Sequence, residues 1–180
     1  RVILTEERNH TLQNLLHEGR VDLAIARFQK PLPGIEVQPF YTEDTVLLVS
    51  RQLLQTCGID LAAHRTAIER GDLRSLRGCP FVSGSAEDIT GSLERDAFRR
   101  AGFVPEVRAE SSNVETLLEL CARGVGACFC PENLARLLLA AQPHGRLEML
   151  RMPDTMAYPI SFGCAKRAYP WSVLADFIRI

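Results

Sequence analysis

Cys128 and Cys130 are the first residues whose type and spacing could do chemistry. Two apart on a strand, they would share a face and could hold a metal or form a redox pair. Against this, the chain has no C-x-x-C and no histidine near the pair, and its other cysteines stand at 57, 79, 121 and 164. Cys121, Cys128 and Cys164 lie inside apolar patterns, where a thiol packs as a small hydrophobe. That usage suits a reducing cytoplasm better than a disulfide framework. The histidines at 10, 17, 64 and 144 have no ligand spacing, and His17 reads as a solvated helix residue. We therefore expect no metal and no cofactor. A second group is polar and sits where helices should begin. It comprises Asn9, the turn Ser83-Gly84-Ser85, Asn113, and Arg27 just past the run DLAIA. Amides, hydroxyls and free backbone N–H groups at a helix start bind anions, and a guanidinium fork grips a carboxylate at two points. Each also has a plainer role: Asn9 and Asn113 as helix caps, Ser83–Ser85 as a turn, Arg27 as a solvated strand end.

The elements that would position these groups alternate. RVILTE reads as a strand, and NHTLQNLLHEG as a helix with Leu12, Leu15 and Leu16 on one face, opened by Asn9 and ended by Gly19. VDLAIARF reads as a parallel strand covered on both faces, completing a β-α-β unit. IEVQPF and DTVLLVS give two more extended segments. Residues 52–77 are polar, Arg-rich and helix-prone, a helical excursion toward a second lobe. CPFVSGS is a strand ending in a turn, DITGSLERDAFRRAGF a helix stopped by Gly102, and VPEVRAES a strand. In NVETLLELCARGVGACFCPENLA, Ser112-x-x-Glu115 has the capping-box pattern. Val114, Leu117, Leu118 and Cys121 form the apolar stripe, Gly124 ends the helix, and Gly126 permits a close approach. ACFC is a short buried strand, and Pro131 suits the first turn of the next helix. LEMLRM and YPISFGCAK are strands, and WSVLADFIRI is a closing amphipathic helix.

Composition bounds the function. The 180 residues carry 21 basic and 22 acidic side chains, a net charge of −1. No basic stripe for nucleic acid is visible, and no apolar run approaches the roughly 20 residues a membrane span needs. Enzyme signatures are missing as well: no G-x-S-x-G elbow, no phosphate-binding loop, no H-E-x-x-H and no dinucleotide fingerprint. We expect no catalytic residues. The fold expected is α/β, with two Rossmann-like subdomains and a cleft between them, like type 2 periplasmic binding proteins. Residues 1–75 and 153–180 would form subdomain I and 76–152 subdomain II.

The order of NHTLQNLLHEGRVDLAIARF, GIEVQPFYTEDTVLLVS, CPFVSG, AFRRAGFVPEV and SSNVETLLELCARGVGACFCPENLA resembles the effector-binding domain of LysR-type transcriptional regulators. The combination of L-x-x-G-x-x-D-L-A-I, AGF-x-P and the Gly124–Pro131 segment carries the likeness across most of the chain. Relative to that family, the amino-terminal winged helix-turn-helix is absent and the first strand and helix of subdomain I appear to be missing. Residues 52–77 are also longer than the family's linker. The resemblance implies a cytoplasmic sensor of a small molecule, often a carboxylate. Asn9 falls where relatives commonly carry Ser or Thr, and an Arg at the position of Arg27 reaches the effector in relatives that bind aromatic or dicarboxylic acids. Ser83, Gly84, Ser85 and Asn113 would face the ligand from the second lobe, with Phe129 as an apolar wall. The resemblance further implies a homodimer or homotetramer using RVILTE and the helix 113–123, DNA contact only through the missing domain, and no membrane partner. A transporter's solute-binding protein and a thiol-based redox sensor of the same family are the alternatives.

Overall fold

The computed structural model describes residues 2–141, 146–166 and 172–178. His144 and the residues Trp171, Arg179 and Ile180 of the expected closing helix lie outside the described residues. The chain divides into two compact units, one of residues 1–42 with 158–180, the other of residues 43–157.

In the first unit, α1 (Asn9–His17) packs Leu16, with Leu12 beside it, against Ala24 of β1 (Leu23–Ala26). Gly19, at φ 70°, ends that helix as its sequence predicts. β1, β8 (Tyr158–Ala165) and β2 (Ile35–Glu43) form one sheet in the order β1-β8-β2. Two expectations change here. Residues 2–8 form no strand, and Val2, Ile3 and Leu4 are exposed. An isolated strand has nothing to pair its backbone with, so apolar, β-branched character alone does not make one. β1 is also not a parallel strand covered on both faces. It pairs antiparallel with β8, and only Ala24 and Ala26 are buried while Ile25 is exposed. That alternation is what a sheet covered on one face produces.

The second unit is built on β3 (Thr45–Ser50), which lies between β6 (Cys128–Pro131) and β7 (Leu147–Arg151), antiparallel to both. Val46, Leu47, Leu48 and Val49 are all fully buried. Leu47 and Val49 join a core with Phe81, Phe98 and Phe129, and Val46 and Leu48 a core with Leu117, Leu118 and Cys121. The helical excursion is present as α2 (Arg51–Thr56), α3 (Leu61–Glu69) and a 3-10 turn at Arg74–Leu76. Leu53, Leu54, Ile68, Leu73 and Leu76 pack into the first of those cores. Residues 43–75 therefore belong with the second unit, and the division falls at 42/43 and 157/158 instead of near 75 and 153. Burying β3 on both faces sets that boundary: its two cores are made of second-unit residues.

β4 (Pro80–Gly84) and β5 (Glu106–Ser111) are parallel, and α4 (Ile89–Ala101) connects them. α5 (Val114–Ala122) ends at Gly124, where φ is 75°. Its cap differs from the capping box expected at Ser112. Asn113 is the N-cap, and its side-chain oxygen accepts from the Thr116 N–H at 2.9 Å. Pro131 closes β6 one residue ahead of α6 (Glu132–Ala141), not inside that helix's first turn. α7 (Ser172–Ile178) is the last described element.

Gly126 owes its identity to a close approach. Ala127 exchanges backbone hydrogen bonds with Pro80 and Val82, at 2.8 and 2.9 Å. A Cβ on Gly126 would lie 2.6 Å from the Phe81 carbonyl carbon and 2.8 Å from the Val82 nitrogen. Both are backbone atoms and cannot rotate away. Gly126→Ala is expected to lower unfolding free energy by about 2 kcal/mol, the order of a core overpacking defect, read by urea denaturation. Unchanged stability would show that this segment does not run against β4.

Candidate functional site

In the first unit, the site is organised by a side-chain clamp on one backbone residue. The Asn9 amide pairs with Arg27 at both ends. Its nitrogen donates to the Arg27 carbonyl at 3.0 Å, and its oxygen accepts from the Arg27 N–H at 2.8 Å. Gln13, one turn along α1, donates to the same carbonyl at 2.7 Å. Arg27 lies just past the end of β1, where the sheet no longer satisfies its backbone, and three side-chain bonds replace the ladder. Asn9 is thus the first helical residue of α1 and not its cap. The cap position is Arg8, with no side-chain cap hydrogen bond. The Arg8 side chain does not cap the first-turn N–H groups of α1, and the helix dipole favours an anion there. The Arg27 guanidinium is half-buried and stands over the Tyr158 ring, 5.8 Å from its centroid. No carboxylate pairs with it among the described residues, so a cation is held beside an uncapped helix start.

The second-unit candidates divide differently. Ser83 is buried and donates its hydroxyl to the Glu94 carboxyl at 2.6 Å. It therefore serves an internal carboxyl. Gly84 lies against Gly91, and a Cβ on Gly91 would come within 2.7 Å of the Gly84 carbonyl oxygen. The turn and the first part of α4 thus touch backbone to backbone. Ser85 is half-buried, and its carbonyl accepts from the Asp88 N–H at 3.0 Å as the turn closes. Asn113 is exposed and spends its oxygen on capping α5. Phe129 is 2% exposed, stacked on Phe81 at 6.2 Å and edge-on to Phe98 at 5.8 Å. It is a core residue and presents no apolar wall to a ligand.

Two polar groups that contact the candidate residues were not singled out in the sequence. Gln13 could have been found, because it lies four residues after Asn9 and shares its helix face. Glu94 could have been suspected too, since it stands three and four residues before the buried Ala97 and Phe98. Burial raises the Glu94 carboxyl from 4.5 to about 7. The Ser83 hydroxyl, the Gly84 N–H and Arg95 oppose that rise, and Glu110 reinforces it.

Two thiols are raised as well. Burial, then Cys57, pushes Cys79 up to about 12. Contacts with Cys121 and Cys130, then burial, raise Cys128 well above the ordinary thiol range. Among the described residues, no group of three or more His, Cys, Asp or Glu is placed to hold a metal ion. None of the described helices is long and apolar enough to cross a membrane.

Two mixed α/β units linked by two chain crossings define a type 2 periplasmic-binding-protein-like architecture. The match to the LysR substrate binding domain runs over residues 1–180, and the chain belongs to that family. It is 26% identical to the nitrogen assimilation regulatory protein nac of Klebsiella aerogenes over 166 residues, covering 92% of this chain and 50% of that protein. A Bacillus subtilis HTH-type transcriptional regulator, YcgK, is 24% identical over 143 residues, covering 75% of this chain and 44% of that protein. The chain thus spans about half the length of these regulators. Among solved structures, the effector-binding domain of QuiR in complex with shikimate superposes with a TM-score of 0.68 at 17% identity, covering 96% of this chain and 77% of that one. CbnR, a LysR family transcriptional regulator, gives 0.64 at 21%, covering 99% and 58%.

Two outcomes test the site's parts. Asn9→Ala leaves the half-buried Arg27 N–H without its acceptor and should cost about 1–3 kcal/mol of stability. A cost near zero in chemical denaturation would rule out the clamp. For Glu94, the folded-state value lies above the unfolded one. Its contribution is therefore fully present below about 4.5 and is lost as pH rises through about 7. Wild type should lose roughly 3 kcal/mol between pH 5 and pH 8 that Glu94→Gln does not lose. Parallel pH profiles for the two proteins would contradict this.

Proposed function

We propose that this effector-binding domain senses a small organic acid, with Arg27 as the partner of its carboxylate. The observation that carries this is the clamp. Three side-chain hydrogen bonds fix the Arg27 backbone beside the uncapped start of α1, and its guanidinium has no carboxylate partner among the described residues. A preorganised fork loses little freedom on binding and suits two-point contact with a carboxylate. Shikimate, the ligand of the QuiR domain, is itself a carboxylic acid. Ser85 and the exposed rim of Asn113 are the second unit's candidate contacts, whereas Ser83 acts through Glu94 and Gly84 through its backbone.

In the whole protein, the acid would favour one conformation of this domain over another. The difference would pass through a homodimer or homotetramer to a DNA-binding domain carried outside these 180 residues. Only differential affinity for two conformations can drive such a response. The protein would work in the cytoplasm, without enzymatic activity and without a membrane partner. The thiol-sensor reading gains no support from Cys79 or Cys128, since thiols raised above the ordinary range are poor nucleophiles at neutral pH.

The test is thermal shift against a panel of small carboxylates, shikimate included. At least one acid is expected to raise the melting temperature of wild type by several degrees. Arg27→Ala should weaken that acid at least tenfold, about 1.4 kcal/mol or more. An acid that stabilises both proteins equally would remove Arg27 from the reading. A panel without any stabilising acid would remove the carboxylate.

A further inference from the structure

The sequence contains only two lysines among its 21 basic residues, Lys30 and Lys166. They stand 136 positions apart, yet both line one hollow of about 760 Å³ that lies wholly within the first unit. The rest of its wall is mainly apolar, with Phe28, Pro31, Ile35 and Val37 beside Gln29 and Glu36. That volume is in the range of small-ligand sites, roughly 300–1,000 Å³.

The wall is built, not draped. Phe28 sits on Gly163 of β8, where an added Cβ would fall 2.3 Å from the tip of the ring. The Lys166 N–H donates to the Gly34 carbonyl at 2.8 Å, tying the segment after β1 to the end of β8. Ile35 is buried, and its N–H donates to the Leu32 carbonyl at 3.1 Å. Neither lysine side chain has a hydrogen-bond or ion-pair partner among the described residues. Among the described lining residues, two ammonium groups against the one carboxylate of Glu36 leave a single positive charge, which matches a monoanion better than a dianion.

We propose that this hollow is a second ligand site, separate from Asn9 and Arg27, for a small amphipathic monocarboxylate. The apolar body of the ligand lies on Phe28, Ile35 and Val37, and its carboxylate is held by Lys30 and Lys166. Burying the ring or short chain supplies the affinity, while flexible lysines supply charge without demanding a fixed bidentate geometry. This inference does not depend on the carboxylate partner assigned to Arg27.

Reductive methylation with 13C-formaldehyde converts both lysines to dimethyl-lysine, which keeps its charge, and gives two lysine signals assignable with Lys30→Gln and Lys166→Gln. Sodium benzoate is expected to shift both signals saturably. Acetate, which has the charge without the ring, and benzyl alcohol, which has the ring without the charge, should act at least tenfold more weakly. On unmodified protein, the double variant Lys30→Gln/Lys166→Gln should weaken benzoate at least tenfold by calorimetry. Arg27→Ala should leave the lysine shifts unchanged. Shifts that grow linearly without saturation, or an equal response to acetate, would overturn the site. Loss of the shifts in Arg27→Ala would show one site instead of two, and would overturn the proposal as well.

Discussion

Everything in the larger unit depends on burying both faces of one strand. β3 has four consecutive side chains, Val46 to Val49, without solvent exposure. Period-2 alternation sends Leu47 and Val49 into one core and Val46 and Leu48 into the other. The strand is therefore shared by the phenylalanine-rich core under α4 and the leucine- and cysteine-rich core under α5. Its neighbours β6 and β7 complete its backbone pairing on either side. Moving its register by one residue would exchange the contents of both cores at once.

The first unit achieves order by a different means. Its core is small, with Leu16, Ala24 and Ile35 as the buried residues. Polar groups carry a larger share of the definition there. Asn9 and Gln13 fix the chain just past β1 by hydrogen bonds that a sheet would otherwise supply. The residue held by these bonds, Arg27, carries the guanidinium of the proposed site. A site on a clamped strand end is more sharply placed than one on a free loop.

Burial also separates the enclosed candidate groups from those in contact with water. Ser83, Glu94, Phe129 and the Cys121, Cys128 and Cys130 thiols are all enclosed in the second unit. Enclosure changes their chemistry as much as their access. The cost of placing charge in an apolar medium keeps the Glu94 carboxyl neutral to higher pH; for the Cys128 thiol the neighbouring Cys121 and Cys130 act first, and burial adds to them. Arg27, Lys30 and Lys166 stay in contact with water.

By itself, the sequence determined what is local. The 3.6-residue stripes of α1, α4 and α5 and the stops at Gly19, Gly102 and Gly124 follow from side-chain spacing and the freedom of glycine at positive φ, so they were legible without a partner. The motif order was enough to identify the family, because short turns and caps recur with their elements. Tertiary structure decided what depends on distant residues. RVILTE has strand composition but no strand beside it. β1 pairs antiparallel with residues 161–164, at the far end of the sequence. Ser83 turns inward because a carboxyl eleven residues later is buried beneath it, and the two lysines meet at one hollow only once β8 returns to the first unit. Pairing and burial are properties of the assembled chain, and no local window of sequence contains them.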